Sequence, residues 1–359
     1  MKITKYNAIC NLGNNIDEIF INALNGNCSK FRIINGRRLG VVECDLPQIS
    51  DIDYDLRCNR LILECVKDFE IESFDKNSLA IVCATTNSGV EEYENSKNPI
   101  HYEIGNPAEF LHKYYGLTSF YTSVSTACSS GIKAFSIAKN LLDKNIAKHV
   151  LVVGVDSLAK VPIYGFDSLE ILSAEQTIPF SKNRKGINIG EGVAAFIVEN
   201  EIPNDDEIEI AGIGETTDSY HATTPDPEGI EAERAIRMAL GKHKTVDYIN
   251  LHGTGTSAND LMEGRAIYNI FTSKVPASST KPLTGHCLGA AASIETALCC
   301  KLLEKGKGQV FPHIYDNEYD ETIPKIFLAD KNTSLNKINS CLCTSFGFGG
   351  TNTAILLTK

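Results

Sequence analysis

The chain has 359 residues, of which 43% are hydrophobic and 22% charged, a balance typical of a globular protein with a buried core. Its net charge of −11 argues against a protein that coats nucleic acid. No apolar run reaches the ~18 residues that cross a bilayer, and residues 1–5 lack the apolar segment of a signal peptide, so we expect a cytoplasmic protein with no membrane span.

Hydrophobic patterning predicts strands that alternate with helices along the whole chain. The predicted strands cover residues 6–13, 78–85, 120–124, 150–156, 192–199, 207–212, 248–251, 275–278, 341–345 and 351–357. The predicted helices cover residues 15–24, 54–69, 108–115, 132–142, 228–241, 260–271 and 288–303, and residues 161–185 form a loop-rich segment with a short helical piece. This alternation predicts α/β layers with largely parallel strands.

Two halves are expected from the length and from a polar, turn-prone junction at residues 201–206. We place the boundary between residues 203 and 204, which gives an N-terminal half of residues 1–203 and a C-terminal half of residues 204–359. Cys128 and Cys287 each open a helix rich in small residues at a comparable place in its half. This weak echo supports a duplicated fold.

Cys128 lies in the run TACSSG, residues 126–131, between a predicted strand and a predicted helix. The unpaired amides and the positive end of a helix dipole favour a thiolate there. Because the chain contains twelve cysteines and free cysteine is commonly buried, this arrangement alone is equally compatible with an inert thiol. The cysteines form no Cys-x-x-Cys pair, so we expect neither a zinc site nor a disulfide framework.

Two histidines follow short strands in the second half. His252 begins HGTGT, residues 252–256, and His286 ends KPLTGH, residues 281–286, which starts at Lys281. Glu263 and Glu295 lie on the two flanking predicted helices, where a carboxylate could hold the Lys281 ammonium inward. Either histidine alone would be an ordinary structural residue, and Lys281 alone an ordinary surface lysine.

The run FGFGGTN, residues 346–352, joins the last two predicted strands and offers backbone amides and the movable ring of Phe348. Together with TACSSG, HGTGT and KPLTGH, in this order and at these spacings, it resembles the β-ketoacyl-acyl-carrier-protein synthases, the elongating condensing enzymes of fatty acid and polyketide assembly. The resemblance implies a thiolase-like fold of two duplicated α/β halves in α-β-α-β-α layers, assembled as a homodimer or as a heterodimer with a related subunit.

The resemblance also implies roles for individual residues. Cys128 would take an acyl chain from acyl carrier protein as a thioester, and His252 and His286 would promote decarboxylation of malonyl-carrier protein. Lys281 would organise the site through Glu295. The supporting residues would be Glu263, Thr254 and Thr256, the amides of Cys128 and Phe348 would form the oxyanion hole, and Phe348 with Phe166 would gate the acyl pocket. No cofactor is implied beyond the phosphopantetheine arm of the carrier.

An acidic carrier protein requires basic residues near the mouth of the site, for which we select Arg57, Arg60, Lys182 and Arg184. The chain departs from the family at Ser181, where an aspartate is usual after Pro-Phe, and it is shorter than most relatives. Its length and the run VPIYGF, residues 161–166, are similar to the branch associated with aryl polyene and related pigments.

Three alternatives remain open from the sequence. A non-catalytic chain-length factor shares the fold but lacks the cysteine, and the presence of Cys128, His252 and His286 argues against it. A degradative thiolase uses a second catalytic cysteine near its C-terminus, a region that here holds Cys341 and Cys343. The chain could also be a carrier-protein-binding scaffold without turnover.

Overall fold

The computed structural model describes residues 1–201 and 207–359. The predicted boundary between residues 203 and 204, and the junction at 201–206 except for Glu201, lie outside the described residues. The strands are β1 (Lys2–Cys10), β2 (Arg32–Ile34), β3 (Arg37–Leu39), β4 (Leu79–Ala84), β5 (Tyr121–Val124), β6 (His149–Asp156), β7 (Gly192–Glu199), β8 (Ile208–Thr217), β9 (Tyr248–Asn250), β10 (Ala277–Ser278), β11 (Gly308–Gln309), β12 (Ser334–Leu335), β13 (Ser340–Gly347) and β14 (Thr351–Thr358).

Helices connect these strands in both halves. They are α1 (Ile16–Leu24), α2 (Arg57–Val66), α3 (Val90–Ser96), α4 (Asn106–Tyr114), α5 (Ser130–Asp143), α6 (Lys160–Ser168), α7 (Ile230–Leu240), α8 (Ser257–Phe271), α9 (Lys281–Thr284) and α10 (Ala291–Lys305). Asn15 caps α1 as predicted, because its side-chain oxygen accepts the amide of Glu18 at 2.9 Å. No helix within the described ranges has the length and apolar character needed to cross a membrane.

Ten strands form one sheet in the order β10-β9-β13-β14-β8-β1-β7-β6-β4-β5. Each half contributes five strands with the same pairing pattern: two antiparallel pairs next to the centre, then two parallel pairs out to the edge. The halves join where β1 pairs with β8 at Lys2 and Ile3. The repeated pattern confirms the duplicated fold, whereas the prediction of largely parallel strands is wrong: the sheet is mixed.

The core is divided by the two faces of this sheet into layers. Along β4, Ala80, Val82 and Ala84 face a cluster with α1, α5 and α10, while Leu79 and Ile81 face a second cluster with α2 and α4. A third cluster packs α7 and α8 on the outer face of the C-terminal half. Because both faces of β4 are covered, its sequence is a continuous apolar run. The first cluster also includes residues of β13 and β14 in the C-terminal half: Cys341, Cys343, Ile355 and Leu357. The helices α1, α5 and α10 therefore lie between the two five-stranded halves of the sheet, and the predicted α-β-α-β-α layering is confirmed.

Small residues bring the central helices together. Gly131 on α5 and Gly154 on β6 both face Ser293 on α10, and a Cβ atom on either glycine would meet that serine inside van der Waals distance. This close approach brings the start of α5, which follows Cys128, next to the start of α10, which follows His286. The packing of the central layer thereby sets the spacing of the two halves of the site.

Several element boundaries differ from those predicted. The helix expected from residue 288 begins at Ala291, after a 3-10 turn over Leu288–Ala290, because Leu288 has φ +51° and cannot continue a right-handed helix. The strand expected over residues 275–278 is reduced to β10, and the β2–β3 hairpin and α3 were not predicted.

Candidate active site

A sharp turn after β5 carries Cys128. Ala127 has φ +52°, in the left-handed region that side chains with a Cβ atom rarely adopt. The hydroxyls of Ser129 and Ser130 hold this turn by donating to the carbonyls of Thr126 and Ala127, each at 2.6 Å. Cys128 thus lies just before the N-terminus of α5, as predicted from the sequence.

His252 follows β9, and its backbone is fixed by a buried carboxylate. Glu263 on α8 accepts the amides of His252 at 2.8 Å and Gly253 at 2.7 Å, and also the hydroxyl of Thr344 at 2.7 Å. Burial raises the pKa of Glu263 to about 7, while these hydrogen bonds lower it. The carboxylate therefore holds the turn from which the imidazole projects.

His286 has its tautomer set by the backbone. The amide of Leu288 donates to Nδ1 of His286 at 3.0 Å, so Nδ1 must carry a lone pair. The ring proton of the neutral imidazole then resides on Nε2. The amide of His286 itself donates to the carbonyl of Asn188 at 2.7 Å, which anchors the residue in the loop.

The Sγ atom of Cys128 and a ring nitrogen of each histidine lie within 4.8 Å of one another. The rings of His252 and His286 are perpendicular, with centroids 5.5 Å apart. Burial, followed by the Lys281 ammonium, lowers the pKa of His286 to about 3 and the pKa of His252 well below its ordinary value. Both imidazoles are therefore neutral at pH 7, which makes them hydrogen-bond donors that carry no excess proton.

Lys281 is buried in the centre of the molecule. Its Nζ atom donates to Oε1 of Glu295 at 2.5 Å, and each side chain is only 1% exposed. Burial raises the pKa of Glu295 to about 7, and the ammonium opposes that rise. Of the two carboxylates considered for this role, Glu295 holds the ammonium, whereas Glu263 binds the His252 turn.

The thiol of Cys128 differs from the sequence expectation of a stabilised thiolate. Burial raises its pKa to about 11, although Lys281 and the backbone amides of Cys128 and Phe348 each lower it. At pH 7 the thiol is therefore predominantly protonated. The helix terminus reduces the cost of ionisation but does not outweigh desolvation. The two amides that act on the sulfur are those predicted to form the oxyanion hole.

Two cavities meet at Cys128. The smaller, of about 80 Å³, is lined by Cys128, His252, His286, Phe166 and Phe348 together with Thr254 and Thr256, whose hydroxyl oxygens are 2.9 Å apart. The larger, of about 540 Å³, is lined by Cys128, Phe166 and Phe348 and by residues of α6 and the loop after β4. The two phenyl rings, with centroids 5.8 Å apart, border both cavities. Movement of either ring would change the passage between them.

The cysteine and the two histidines are also the donor types that bind zinc. A tetrahedral ion would need a lone pair on the free nitrogen of His286. The Leu288 amide places the proton on that nitrogen, and Lys281 adds a positive charge nearby. The site is therefore poorly suited to a metal.

The predicted docking residues are all ion-paired. Arg57 pairs with Glu191, Arg60 with Asp55, and Lys182 with Glu318, and each of these basic side chains remains at least one-third exposed. Arg184 is different: its side chain is 5% exposed and pairs with Asp260 and Asp320. Its selection as a docking residue is corrected, because a buried guanidinium offers no surface to a carrier protein.

Two residues near the site gave no signal in the sequence. Asp156 is fully buried at the end of β6 and accepts hydrogen bonds from the loop after β4 and from Gly289. Ser345 donates to the carbonyl of Cys128 at 2.9 Å and so ties the last hairpin to the nucleophile turn.

Ser181, which replaces the usual aspartate, is buried and accepts the amide of Asn183 at 2.9 Å.

The fold and the site define a thiolase-like protein with one cysteine and two neutral histidines in a shared cavity. Family comparison matches residues 105–202 to "Beta-ketoacyl synthase, N-terminal domain" and residues 208–314 to "Beta-ketoacyl synthase, C-terminal domain". The chain belongs to the β-ketoacyl synthase family.

Curated relatives include 3-oxoacyl-[acyl-carrier-protein] synthase 2 of Coxiella burnetii, 34% identical over 266 residues, which are 68% of this chain and 63% of the relative. The synthase of the same name from Staphylococcus aureus strain COL is 31% identical over 252 residues, 65% of this chain and 60% of the relative. The matches span less than two thirds of the length of these relatives.

Among solved structures, the ketosynthase (ApeO) in complex with its chain length factor (ApeC) from Xenorhabdus doucetiae aligns with a TM-score of 0.92 and 33% identity, over 99% of this chain and 97% of that chain. A β-ketoacyl synthase from Burkholderia phymatum aligns with a TM-score of 0.86 and 21% identity over 100% of both chains, a likeness of fold alone.

Proposed function

We propose that the chain is a β-ketoacyl-acyl-carrier-protein synthase that condenses a malonyl thioester with an acyl chain held on Cys128. The observation that carries this proposal is the convergence of the Cys128 sulfur with two neutral imidazoles at the meeting point of two cavities. A thiol, two uncharged donors and a pair of backbone amides are the groups that a decarboxylative Claisen condensation requires.

The first step is acyl transfer. The Cys128 sulfur attacks the carbonyl carbon of an acyl thioester, the bond to the carrier sulfur breaks, and the cysteine proton ends on the departing thiol. Because the pKa of Cys128 is about 11, the sulfur reacts as a rare but strongly nucleophilic thiolate. The amides of Cys128 and Phe348 are available to the tetrahedral oxyanion.

The second step is decarboxylation of the malonyl thioester. The bond to the carboxylate carbon breaks, CO₂ leaves, and the electron pair delocalises onto the thioester oxygen as an enolate. The Nε2 proton of His286 and the ring of His252 stabilise this oxygen, at ~3 kcal/mol for one well-placed donor. Since both rings are neutral, neither delivers a strong acid that would quench the carbanion.

The third step forms the carbon–carbon bond. The enolate carbon attacks the Cys128 thioester, the oxyanion again meets the amides of Cys128 and Phe348, and collapse expels the cysteine thiolate. The product is a β-ketoacyl thioester two carbons longer. Lys281 touches no reacting atom in this scheme; its charge lowers the pKa of both histidines and of Cys128.

The substrates would arrive on the phosphopantetheine arm of an acyl carrier protein. Lys182, which is exposed, and Arg57 and Arg60, which are partly exposed, remain the basic candidates for docking that acidic partner. No further cofactor enters the scheme. The twelve cysteines are all unpaired thiols, which fits the reducing conditions of the cytoplasm.

A second synthase-type subunit is the expected protein partner. Among the described strands, β5 pairs only with β4, so one edge of the sheet is open. Phe120, Tyr121, Val161 and Tyr164, on or beside β5 and α6, are each more than 40% exposed. An open strand edge and exposed aromatic residues favour association. The similarity to a ketosynthase that binds a chain length factor supports a heterodimer.

We further propose that the chain belongs to the aryl polyene branch rather than to ordinary fatty acid synthesis, because its short length and the run VPIYGF, residues 161–166, resemble that branch. Product analysis by ultraviolet absorption and mass spectrometry would distinguish them: a conjugated product supports the branch, and only saturated chains would refute it.

The alternative, a chain-length factor or a carrier-binding scaffold without turnover, is tested by the same reagents that test the enzyme. The purified protein is incubated with acyl-carrier protein, and Cys128 is examined by mass spectrometry for an acyl adduct. Malonyl-carrier protein is then added, and the elongated product is measured. A Cys128→Ala variant is the matched control. Binding of the carrier without either adduct or product would support the scaffold and reject the synthase.

A further inference from the structure

The carboxylate of Asp156 is the most heavily hydrogen-bonded buried acid beside the site. It ends β6 and is fully buried. Its Oδ1 atom accepts the hydroxyl of Thr85 at 2.8 Å and the amides of Thr86 and Asn87 at 2.9 Å each. Its Oδ2 atom accepts the hydroxyl of Thr86 at 2.8 Å and the amide of Gly289 at 2.7 Å.

These donors come from different halves of the fold. Thr85, Thr86 and Asn87 follow β4 in the N-terminal half, where they anchor the carboxylate. Gly289 belongs to the turn between His286 and α10 in the C-terminal half. Asp156 is therefore a bridge from the strand end of one half to the histidine loop of the other.

The Gly289 amide, which Asp156 binds, lies one residue after the Leu288 amide, which fixes the tautomer of His286. Gly289 follows Leu288, whose amide donates to Nδ1 of His286. Leu288 has φ +51°, a conformation that costs about 1 kcal/mol or more and persists only where its surroundings hold it. The Asp156–Gly289 hydrogen bond is a restraint on this strained turn.

The contact leaves no room for adjustment. A Cβ atom at Gly289 would lie 2.8 Å from Oδ2 of Asp156 and 3.1 Å from the Thr86 methyl group. Each carboxylate oxygen receives at least two donors, so an asparagine would direct its NH₂ group at other donors whichever way it turned. The position requires an acceptor on both sides.

We propose that Asp156 is a positioning residue that keeps His286 in its Nε2–H tautomer by holding the Leu288–Gly289 turn through the Gly289 amide. The inference rests on the proposed function, because it assigns a cause to the orientation of one catalytic donor. Asp156 touches no substrate and acts on decarboxylation through His286, while its charge also raises the pKa of Cys128.

Asp156→Asn is the direct test, and Gly289→Ala is a second variant that keeps the carboxylate. The matched control is Asp247→Asn, since Asp247 also accepts backbone amides, from Asn339 and Ser340, but at the start of β9, the end of that strand away from His252. Two readouts are compared: single-turnover rates of Cys128 acylation and of malonyl decarboxylation, and ¹H–¹⁵N spectra of the histidine rings, with His286 assigned by its loss in His286→Asn.

Both test variants should lower decarboxylation at least tenfold, change acylation less than threefold, and shift the His286 ring signals away from the pure Nε2–H form. The control should lose stability without any of these changes. The proposal is overturned if both test variants keep the wild-type His286 signals, or if their rates of acylation and decarboxylation fall by the same factor. Wild-type protein without decarboxylation would instead reject the proposed function, while the ring spectra would still test the tautomer.

Discussion

Replacing Lys281 by methionine separates the electrostatic role of the ammonium from its packing. The side chains are similar in length, so the cavity left behind is small, but the partner of Glu295 is removed. Nζ of Lys281 lies 2.5 Å from Oε1 of Glu295, and each side chain is only 1% exposed. Breaking a buried pair by removing one partner costs about 3–5 kcal/mol.

The loss should depend on pH with a defined sign. The pKa of Glu295 is already raised to about 7, so below pH 7 the variant can protonate this carboxyl and recover part of the loss. Because the ammonium lowers this pKa, its removal raises the pKa further, so above pH 7 the variant keeps the carboxyl protonated while the wild-type pair is ionised. We therefore expect the difference in free energy of unfolding between wild type and Lys281→Met to grow from pH 6 to pH 8, as measured by urea titration.

The same variant should make Cys128 less reactive. Lys281 is the largest influence that lowers the pKa of this thiol, which is about 11 in its presence. Iodoacetamide alkylation of Cys128, followed by mass spectrometry as a function of pH, should therefore shift to higher pH in Lys281→Met. Glu295→Gln keeps the ammonium, so its alkylation of Cys128 should occur at the same pH as in wild type or at a lower pH.

Lys301→Met is the matched control, because Lys301 is ion-paired with Asp17 and Glu304 but lies on the surface at 26% exposure. It should cost no more than about 1 kcal/mol and leave alkylation unchanged. An unchanged alkylation profile in a folded Lys281→Met protein would refute the claim that the ammonium acts on the sulfur through charge.

Three further predictions concern other groups. His286 and His313 should each contribute a loss of unfolding free energy as pH drops from 6.5 towards 4, because burial lowers their pKa to about 3 and about 4 and each binds more protons in the unfolded chain; Glu263 and Glu295, whose pKa is raised to about 7, contribute in the opposite direction. His313→Gln should remove about 1.4 kcal/mol per pH unit of that slope in urea titrations, and an equal slope would contradict the burial argument. Glu263→Gln should lower condensation at least tenfold but spare acylation in single-turnover assays, because it disturbs the amides of the His252 turn; equal losses in both steps would contradict this. Arg184→Met should cost about 3–5 kcal/mol of stability without changing carrier affinity, measured by denaturation and fluorescence anisotropy, and weakened binding by a fully folded variant would return Arg184 to the docking set.

The sequence predicted the convergence of the site because each motif follows a strand. Cys128 follows β5, His252 follows β9, and Lys281 follows β10, whereas the turn with Phe348 joins β13 to β14. Strand ends that share a layer meet in space, so motifs far apart in the chain can be assigned to one site. The glycines and other small residues in these motifs predicted where the turns lie in the sequence.

The sequence could not predict which partner each charged group finds. Glu263 and Glu295 both lie on helices that flank Lys281 in sequence. Which of the two carboxylates contacts the lysine depends on the rotation of each helix about its axis, and in the structure it is Glu295. Arg184 looked like a surface residue because Asp260 and Asp320, which bury it, are distant in the chain.

The sequence also could not predict that the thiol of Cys128 is protonated. A helix terminus is visible as a pattern, but the desolvation that opposes it depends on the whole surrounding core. Asp156 gave no signal for a related reason: its partners are three backbone amides and the hydroxyls of Thr85 and Thr86, a combination that has no sequence signature.

The most direct test of the central claim is a two-stage mass-spectrometric experiment on the intact protein. Wild type should gain one acyl group on Cys128 from acyl-carrier protein, and then lose it on addition of malonyl-carrier protein with release of CO₂ and an elongated β-ketoacyl product. His252→Ala and His286→Ala should acquire the acyl group but release little CO₂. Acylation at another cysteine, or undiminished CO₂ release from both histidine variants, would contradict the account.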